Sequence, residues 1–287
     1  MHIKNILSFF VVFIDLWLLT GCSVINTYKV AVFPPSWMNL VQISNDVYVE
    51  KGMSEALKKV LLTQKMESKR FVIDVWGEIK SKPIIYACES KECAKSFNLS
   101  APAHAVSRYT ILRPEGFTKY LIAHETSHSE VIERAGSFLN WKNIPQWFDE
   151  GLAVVVGPDP RHNESAWEKI ISENLPHPSQ EELMKIHSIK AWNKATHEYN
   201  ENLDYSEIVV TYATAGHYVR KWYNKVGRSG LLKLFEKINA GYSFEKAYRE
   251  ILENNTANQL KPHNNAIQGT SGQRGFSKFI LAAKSPG

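Results

Sequence analysis

The chain is short of the features that commonly announce a function. Among 287 residues there are three cysteines, Cys22, Cys88 and Cys93, and no second Cys pair that would complete a zinc knuckle. There is no P-loop and no dinucleotide-type glycine fingerprint, so the usual nucleotide-binding classes drop out. No internal repeat is present, which removes solenoids and propellers. The 34 basic and 29 acidic residues leave a net charge of +5, and no Lys/Arg cluster approaches a nucleic-acid footprint. The one long apolar run, Ile6 to Leu19, is shorter than the roughly 20 residues a membrane span needs. What remains is an ordinary globular composition, 44% hydrophobic and 22% charged, in a chain long enough for a sizeable core and one or two domains.

The amino terminus reads as an address. Lys4 precedes the apolar run, which ends in Leu19-Thr20-Gly21-Cys22. Small residues before a cysteine resemble the bacterial lipobox, although Asp15 inside the run departs from that pattern. By this resemblance residues 1–21 are a signal peptide, and Cys22 is the lipidated first residue of an exported protein on the periplasmic face of a membrane. Residues 22–40, with Pro34-Pro35 and little periodicity, read as a tether. In an oxidising compartment the remaining pair, Cys88 and Cys93, is expected to close a small disulfide loop.

The stretch that carries chemistry is Ile122-Ala123-His124-Glu125-Thr126-Ser127-His128. Two histidines four apart on a helix stand on one face, one turn above the other. That spacing lets both imidazoles grip a single Zn²⁺, with Glu125 between them as general base toward water. Pro114-Glu115-Gly116 offers a helix start and Gly136 a stop. A catalytic zinc site usually takes a third protein ligand and keeps one position open. The metzincin pattern would put a glycine and then a histidine soon after His128, but those places hold Val131 and Arg134. A ligand from a following helix fits better: Glu150 in Pro145-Gln146-Trp147-Phe148-Asp149-Glu150-Gly151-Leu152-Ala153 follows a turn and opens an apolar helix.

With both elements in view, the chain resembles the gluzincin metallopeptidases, specifically the peptidase-MA-like group, whose second element reads Pro-x-Trp-Phe-x-Glu-Gly-Leu-Ala. The resemblance implies a zincin-like α+β fold: a small mixed sheet whose edge strand packs on the HExxH helix, then a mainly helical half closing the cleft. It also implies one zinc per chain on His124, His128 and Glu150, with Glu125 as base. A sheet edge strand just before the first helix, for which Val106 to Leu112 is the best match, would pair with extended substrate. A later helix carries Tyr212, Ala215, Tyr218 and Val219 in a family-like spacing, making Tyr212 the first choice to stabilise an oxyanion and His217 the alternative. Asp149 and Glu130 are candidate partners for the ligand histidines, and His104 is a candidate to face substrate. Three departures stand out. Val154 occupies the place of the thermolysin-type aspartate, Asp149 stands where an asparagine is common, and the Gly-x-Met-Glu-Asn element of related aminopeptidases is absent. The last points to an enzyme that cuts internal bonds.

The remaining chain divides as follows. Val41 to Val49 reads as strand with a turn at Asn45-Asp46, Ser54 to about Met66 as helix, and Phe71 to Trp76 and Ile84 to Ala87 as strands. After Pro158-Asp159-Pro160, helices are expected near Ser165 to Asn174 and Gln180 to Ile186, with a loop over Asn193 to Asp204. Three more helices follow, Ile208 to Val226, Leu231 to Ile238 and Phe244 to Leu252, separated at Gly227 and Gly241. The metallopeptidase domain is thus expected over residues 41–253, and residues 254–287, rich in Asn, Gln, Gly, Ser and Lys, as a disordered tail. The functional expectation is an envelope zinc metalloendopeptidase acting on polypeptide. The alternative is a zinc-binding lipoprotein of the same fold that recognises a protein partner without cutting it.

Overall fold

Alternation along short segments builds a five-stranded mixed sheet. In the computed structural model, which describes residues 29–259, β1 (Leu40–Ser44) and β2 (Val47–Glu50) form an antiparallel hairpin turning at Asn45-Asp46. Val47 and Val49 point to one face and Tyr48 to the other, the period of two that a pleat imposes. A parallel partner needs a crossover, and helix α1 (Glu55–Trp76) supplies it before β3 (Ile84–Ala87) pairs parallel with β2. Helix α2 (Lys91–Ser96) leads to β4 (Ala103–Val106) and β5 (Tyr109–Leu112), giving the order β1-β2-β3-β5-β4. The inner face (Val47, Val49, Ile85, Leu112) packs on Leu61 of α1 and on Ile122 of α3 (Lys119–Ala135). The outer face (Tyr86, Ile111, Val106) is covered by Val30 and by Ala94 and Phe97. Cys88 and Cys93 are joined by a disulfide, with 5.4 Å between their Cα atoms, so the expected loop closure is present.

Three expectations give way here. Phe71 to Trp76 is not a strand but the last turns of α1. A six-residue apolar segment satisfies both periods, and with no breaker after Met66 the helix simply continues, burying Val72, Val75 and Trp76. Val106 to Leu112 is not one edge strand. Ser107, at φ 55°, turns the chain into a tight hairpin, so β5 lies between β3 and β4 and the free edge belongs to Ala103–Val106. Part of the segment read as a tether is packed structure: Val30 is buried in the outer cluster and Pro35–Met38 forms a 3-10 turn. Residues 1–28, including the leader and Cys22, lie outside the described residues.

The rest is helical: α3, α4 (Phe138–Lys142), α5 (Gln146–Val156), α6 (Glu164–Ser172), α7 (Gln180–Met184), α8 (Ile189–Asn200), α9 (Val210–Asn239) and α10 (Phe244–Gln259). Asn193 to Asp204 is therefore mostly helix rather than loop. Ser188 caps α8 by accepting from the Ala191 N–H (3.2 Å), and Trp192 anchors it in the core. As expected, Gly227 separates two helices: at φ 66° and ψ −174° it leaves the helical conformation, so α9 is two helical segments meeting at a kink. Helix α10 carries on to Gln259, past the expected boundary at 253, and residues 260–287 lie outside the described residues. Among the described residues no helix is long and apolar enough to cross a membrane.

Helix α5 crosses α9 at very short range, and glycine makes this possible. A Cβ on Gly151 would lie 2.6 Å from the carbonyl oxygen of Ala215, and one on Gly216 2.3 Å from Val154 Cγ1. Close approach of these backbones sets Glu150 and Tyr212, one turn before Gly216, on the same side of α3.

A candidate metal centre

Helix α3 begins where Thr118 accepts from the Leu121 N–H (3.2 Å) and ends at Gly136 in the left-handed conformation. The Pro114–Gly116 segment expected to open it is a separate 3-10 turn. Buried on most of its circumference, α3 holds His124, Glu125 and His128 beneath α5. Helix α5 has no side-chain cap. Its first N–H groups instead donate to the carbonyls of His187 (3.3 Å) and Ile186 (3.2 Å), which fixes its start. Phe148 locks the next turn, its ring centroid 4.8 Å from Phe244 and 5.5 Å from Trp222. A Phe-to-Ala change in such a site costs about 3–5 kcal/mol.

The two helices bring His124, His128 and Glu150 together, with ligand-capable atoms all within 4.8 Å of one another. Glu150 Oε2 lies 3.3 Å from His124 Nε2 and 3.5 Å from His128 Nε2. Two ligand atoms about 2.0–2.1 Å from a tetrahedral ion are about 3.3 Å apart, so the carboxylate oxygen stands at a compatible distance from each imidazole nitrogen. The other carboxylate oxygen, Oε1, accepts from Gln146 Nε2 at 2.9 Å, while Oε2 is buried with no hydrogen-bond partner. A buried oxygen without a partner costs free energy that a cation can offset. The donor set fits a divalent metal ion, and the cluster can hold one.

The charges agree with a cation between these groups. Burial disfavours charge on His128, but Asp149 and Glu150 outweigh it and raise its pKa well above the ordinary imidazole value. Burial likewise opposes the Glu150 carboxylate, yet the two histidines hold its pKa well below the usual range. Asp149 Oδ1 sits 2.8 Å from His128 Nδ1, which orients the ring and leaves Nε2 for the centre. Asp149 thus supplies the orienting carboxylate that Val154 does not. The His124 Nδ1 atom has no such partner.

Other expected residues fall in different places. Glu130 touches neither histidine. It is fully buried and accepts from Arg134 Nε (2.9 Å) and from the Ser81 N–H (2.8 Å), a clamp between α3 and the chain leading into β3. His217 also lies off the centre, with its Nδ1 2.8 Å from Glu164 Oε1 and its ring stacked on Trp167 at 4.4 Å. Tyr212 does join the centre, its ring 6.0 Å from that of His124. Burial, then the negative charges of Glu150 and Glu125, raise its pKa well above the usual phenol value, so it stays a hydrogen-bond donor. His104 is exposed on the free edge of β4, opposite Ile111.

One residue of the site was not foreseen. His162 follows Pro158-Asp159-Pro160 as the chain folds back over α5, and its ring lies 6.1 Å from His124 and 5.5 Å from Tyr212. It is buried, and burial followed by the nearby His124 pushes its pKa well below the ordinary value. The local sequence carries no periodic signal for this placement.

No family model, curated protein or solved structure matches the chain.

Proposed function

We propose that the protein is a zinc-dependent endopeptidase of zincin-like architecture, tethered through a lipid on Cys22 to an envelope membrane and cleaving internal bonds of extended polypeptides. The observation that carries the reading is the convergence of His124 Nε2, His128 Nε2 and the buried Glu150 Oε2, with Glu125 on the same helix between the two imidazoles. Two imidazoles and one carboxylate match the donor set by which catalytic zinc is held with a position left open. When bound there, zinc lowers the pKa of a coordinated water and polarises a carbonyl.

The chain's own groups then divide the work. Glu125 takes a proton from the attacking water and returns it to the departing amine. Asp149 keeps the His128 ring in register. Tyr212, protonated at neutral pH, donates to the oxyanion that forms on the scissile carbonyl. The free edge of β4 offers unpaired N–H and C=O groups beside α3, and Ser129 Oγ of that helix bonds the Ser107 carbonyl at 2.9 Å to hold the two together. Main-chain pairing along that edge gives affinity with little demand on substrate side chains.

The test is zinc content and peptide hydrolysis in wild type and Glu125→Gln. One zinc per chain, chelator-sensitive cleavage of an unfolded polypeptide, and loss of turnover with full zinc content in the variant are expected. Equal turnover in the two proteins would refute the mechanism. Full zinc with no cleavage by either would favour the partner-binding alternative.

A further inference from the structure

The outer face of the sheet carries an apolar edge that the fold does not use. Val32, Phe33 and Trp37 are 62%, 40% and 76% exposed, and the Phe33 and Trp37 rings sit together, with centroids 6.0 Å apart. Phe33 and Trp37 border a pocket of about 500 Å³ that also takes in Lys29, Met38, Glu50, Glu92 and Cys93. Single exposed apolar residues are normal, whereas a tryptophan, a phenylalanine and a valine in one six-residue stretch need a reason. The segment is not loose. Val30 and Met38 on either side pack into the outer cluster, and Lys29 Nζ bonds the Ser96 carbonyl and lies 4.3 Å from the Phe97 ring centroid. The aromatic pair is thus presented outward on an anchored backbone.

Where the chain comes from says what covers it. Cys22 precedes Lys29 by seven residues, a reach of at most about 25 Å even when fully extended. A lipid on Cys22 would therefore hold this face, and no distant one, within range of the bilayer surface. Tryptophan is the residue most at home where headgroups meet acyl chains. We propose that the Val32–Phe33–Trp37 face inserts shallowly into the phospholipid surface and fixes the orientation of the whole domain. The inference rests on the lipid-anchor part of the functional reading. A lipid chain alone leaves a protein free to swivel, and an interfacial patch beside it removes that freedom. The metal centre lies across the sheet, under α3 and α5, so docking by the outer face turns the centre away from the membrane. Substrates would then be polypeptides reaching in from the aqueous side.

The experiment uses the mature lipidated chain in phosphatidylethanolamine–phosphatidylglycerol vesicles, with and without phospholipid brominated near the headgroup end of its acyl chains. Flotation and intact mass report the anchor. Quenching of tryptophan emission, compared between wild type and Trp37→Ser, reports the docking. Trp76, Trp147, Trp192 and Trp222 are buried in the core, and the half-buried Trp141 and Trp167 are common to both proteins, so the Trp37 share is isolated by difference. Brominated lipid should quench a component of wild-type emission that is missing in Trp37→Ser, while both proteins float, melt alike and bind equal zinc. Floating protein with identical fractional quenching in both would overturn the docking and leave the anchor standing. Equal quenching together with a dimeric mass that Trp37→Ser abolishes would assign the face to a second copy, which also overturns it. A chain that carries no lipid and does not float would overturn the anchor and the docking together.

Discussion

Glu130 and Glu150 are two buried carboxylates on adjacent helices, and truncating them should give opposite results. Glu150→Ala removes one of the three groups proposed to hold zinc. Free energies of binding for protein-bound zinc run to about 10–16 kcal/mol. If a third of about 10 kcal/mol is lost, affinity falls by a factor of a hundred or more. The metal-free protein loses the Gln146 bond to Oε1 and the contacts of Oε2 with the two imidazoles, a cost of about 1–3 kcal/mol and less than that of the Glu130 truncation. Glu130→Ala is the reverse. It takes the carboxylate from the Arg134 guanidinium, whose side chain is 6% exposed and keeps only the Glu78 carbonyl as acceptor, and strands the Ser81 N–H. Breaking one side of a buried pair costs about 3–5 kcal/mol, and in a domain of this size each kcal/mol is about 2–4 °C of Tm. The expected loss is about 10 °C or more, with zinc affinity of the folded protein nearly unchanged. Differential scanning fluorimetry on chelated protein and competition titration with a chromophoric chelator separate the two effects. If Glu130→Ala loses zinc while keeping its Tm, or Glu150→Ala keeps tight stoichiometric zinc, the assignment of these two roles is wrong.

Further outcomes follow from the same geometry. Gly151→Ala drives a methyl into the Ala215 carbonyl and should cost about 1–3 kcal/mol or more, with turnover falling further than stability because α5 and α9 must separate; thermal melts and kcat show both. Cys93→Ser opens a loop of about six residues, worth about 2 kcal/mol by the chain-entropy relation, so a Tm drop of about 4–8 °C is expected, and turnover per folded molecule should not change. His162→Ala removes the ring that packs beside His124 and Tyr212 and should lower kcat by about tenfold or more with zinc content intact. His217→Ala should leave kcat within about twofold, and a reversal of these last two would give the oxyanion role to His217.

How much of this was legible in the chain depends on how local each feature is. His124, Glu125 and His128 lie within five residues of one helix, so the periodicity of the helix alone fixes their relation. Glu150 was legible because a charge followed by Gly-Leu-Ala-Val-Val-Val makes little sense on a solvated face. Asp149 was named from adjacency, and only the helix crossing selects His128 as its partner. Glu130 was misread although Arg134 stands four residues on, the spacing at which a helix pairs opposite charges. His162 and the Glu164–His217 pair depend on how loops and helices fold back over long sequence separations, and no local pattern encodes that. The same limit explains the sheet edge: whether Ser107 turns or extends is decided by pairing with a strand twenty residues upstream.

The proposed ligand and its helper on α5 are consecutive residues. Glu150 reaches the centre, while Asp149 holds the ring of His128, which itself belongs to α3. Any displacement of α5 that withdraws the carboxylate also frees the imidazole, so ligands cannot be shed one at a time along that side. Metal release should therefore be a single slow event governed by the separation of two helices rather than by successive detachments. Dissociation measured against a scavenging chelator should be a single exponential, independent of scavenger concentration. Its rate should track substitutions such as Gly151→Ala that loosen the helix pair without touching a ligand.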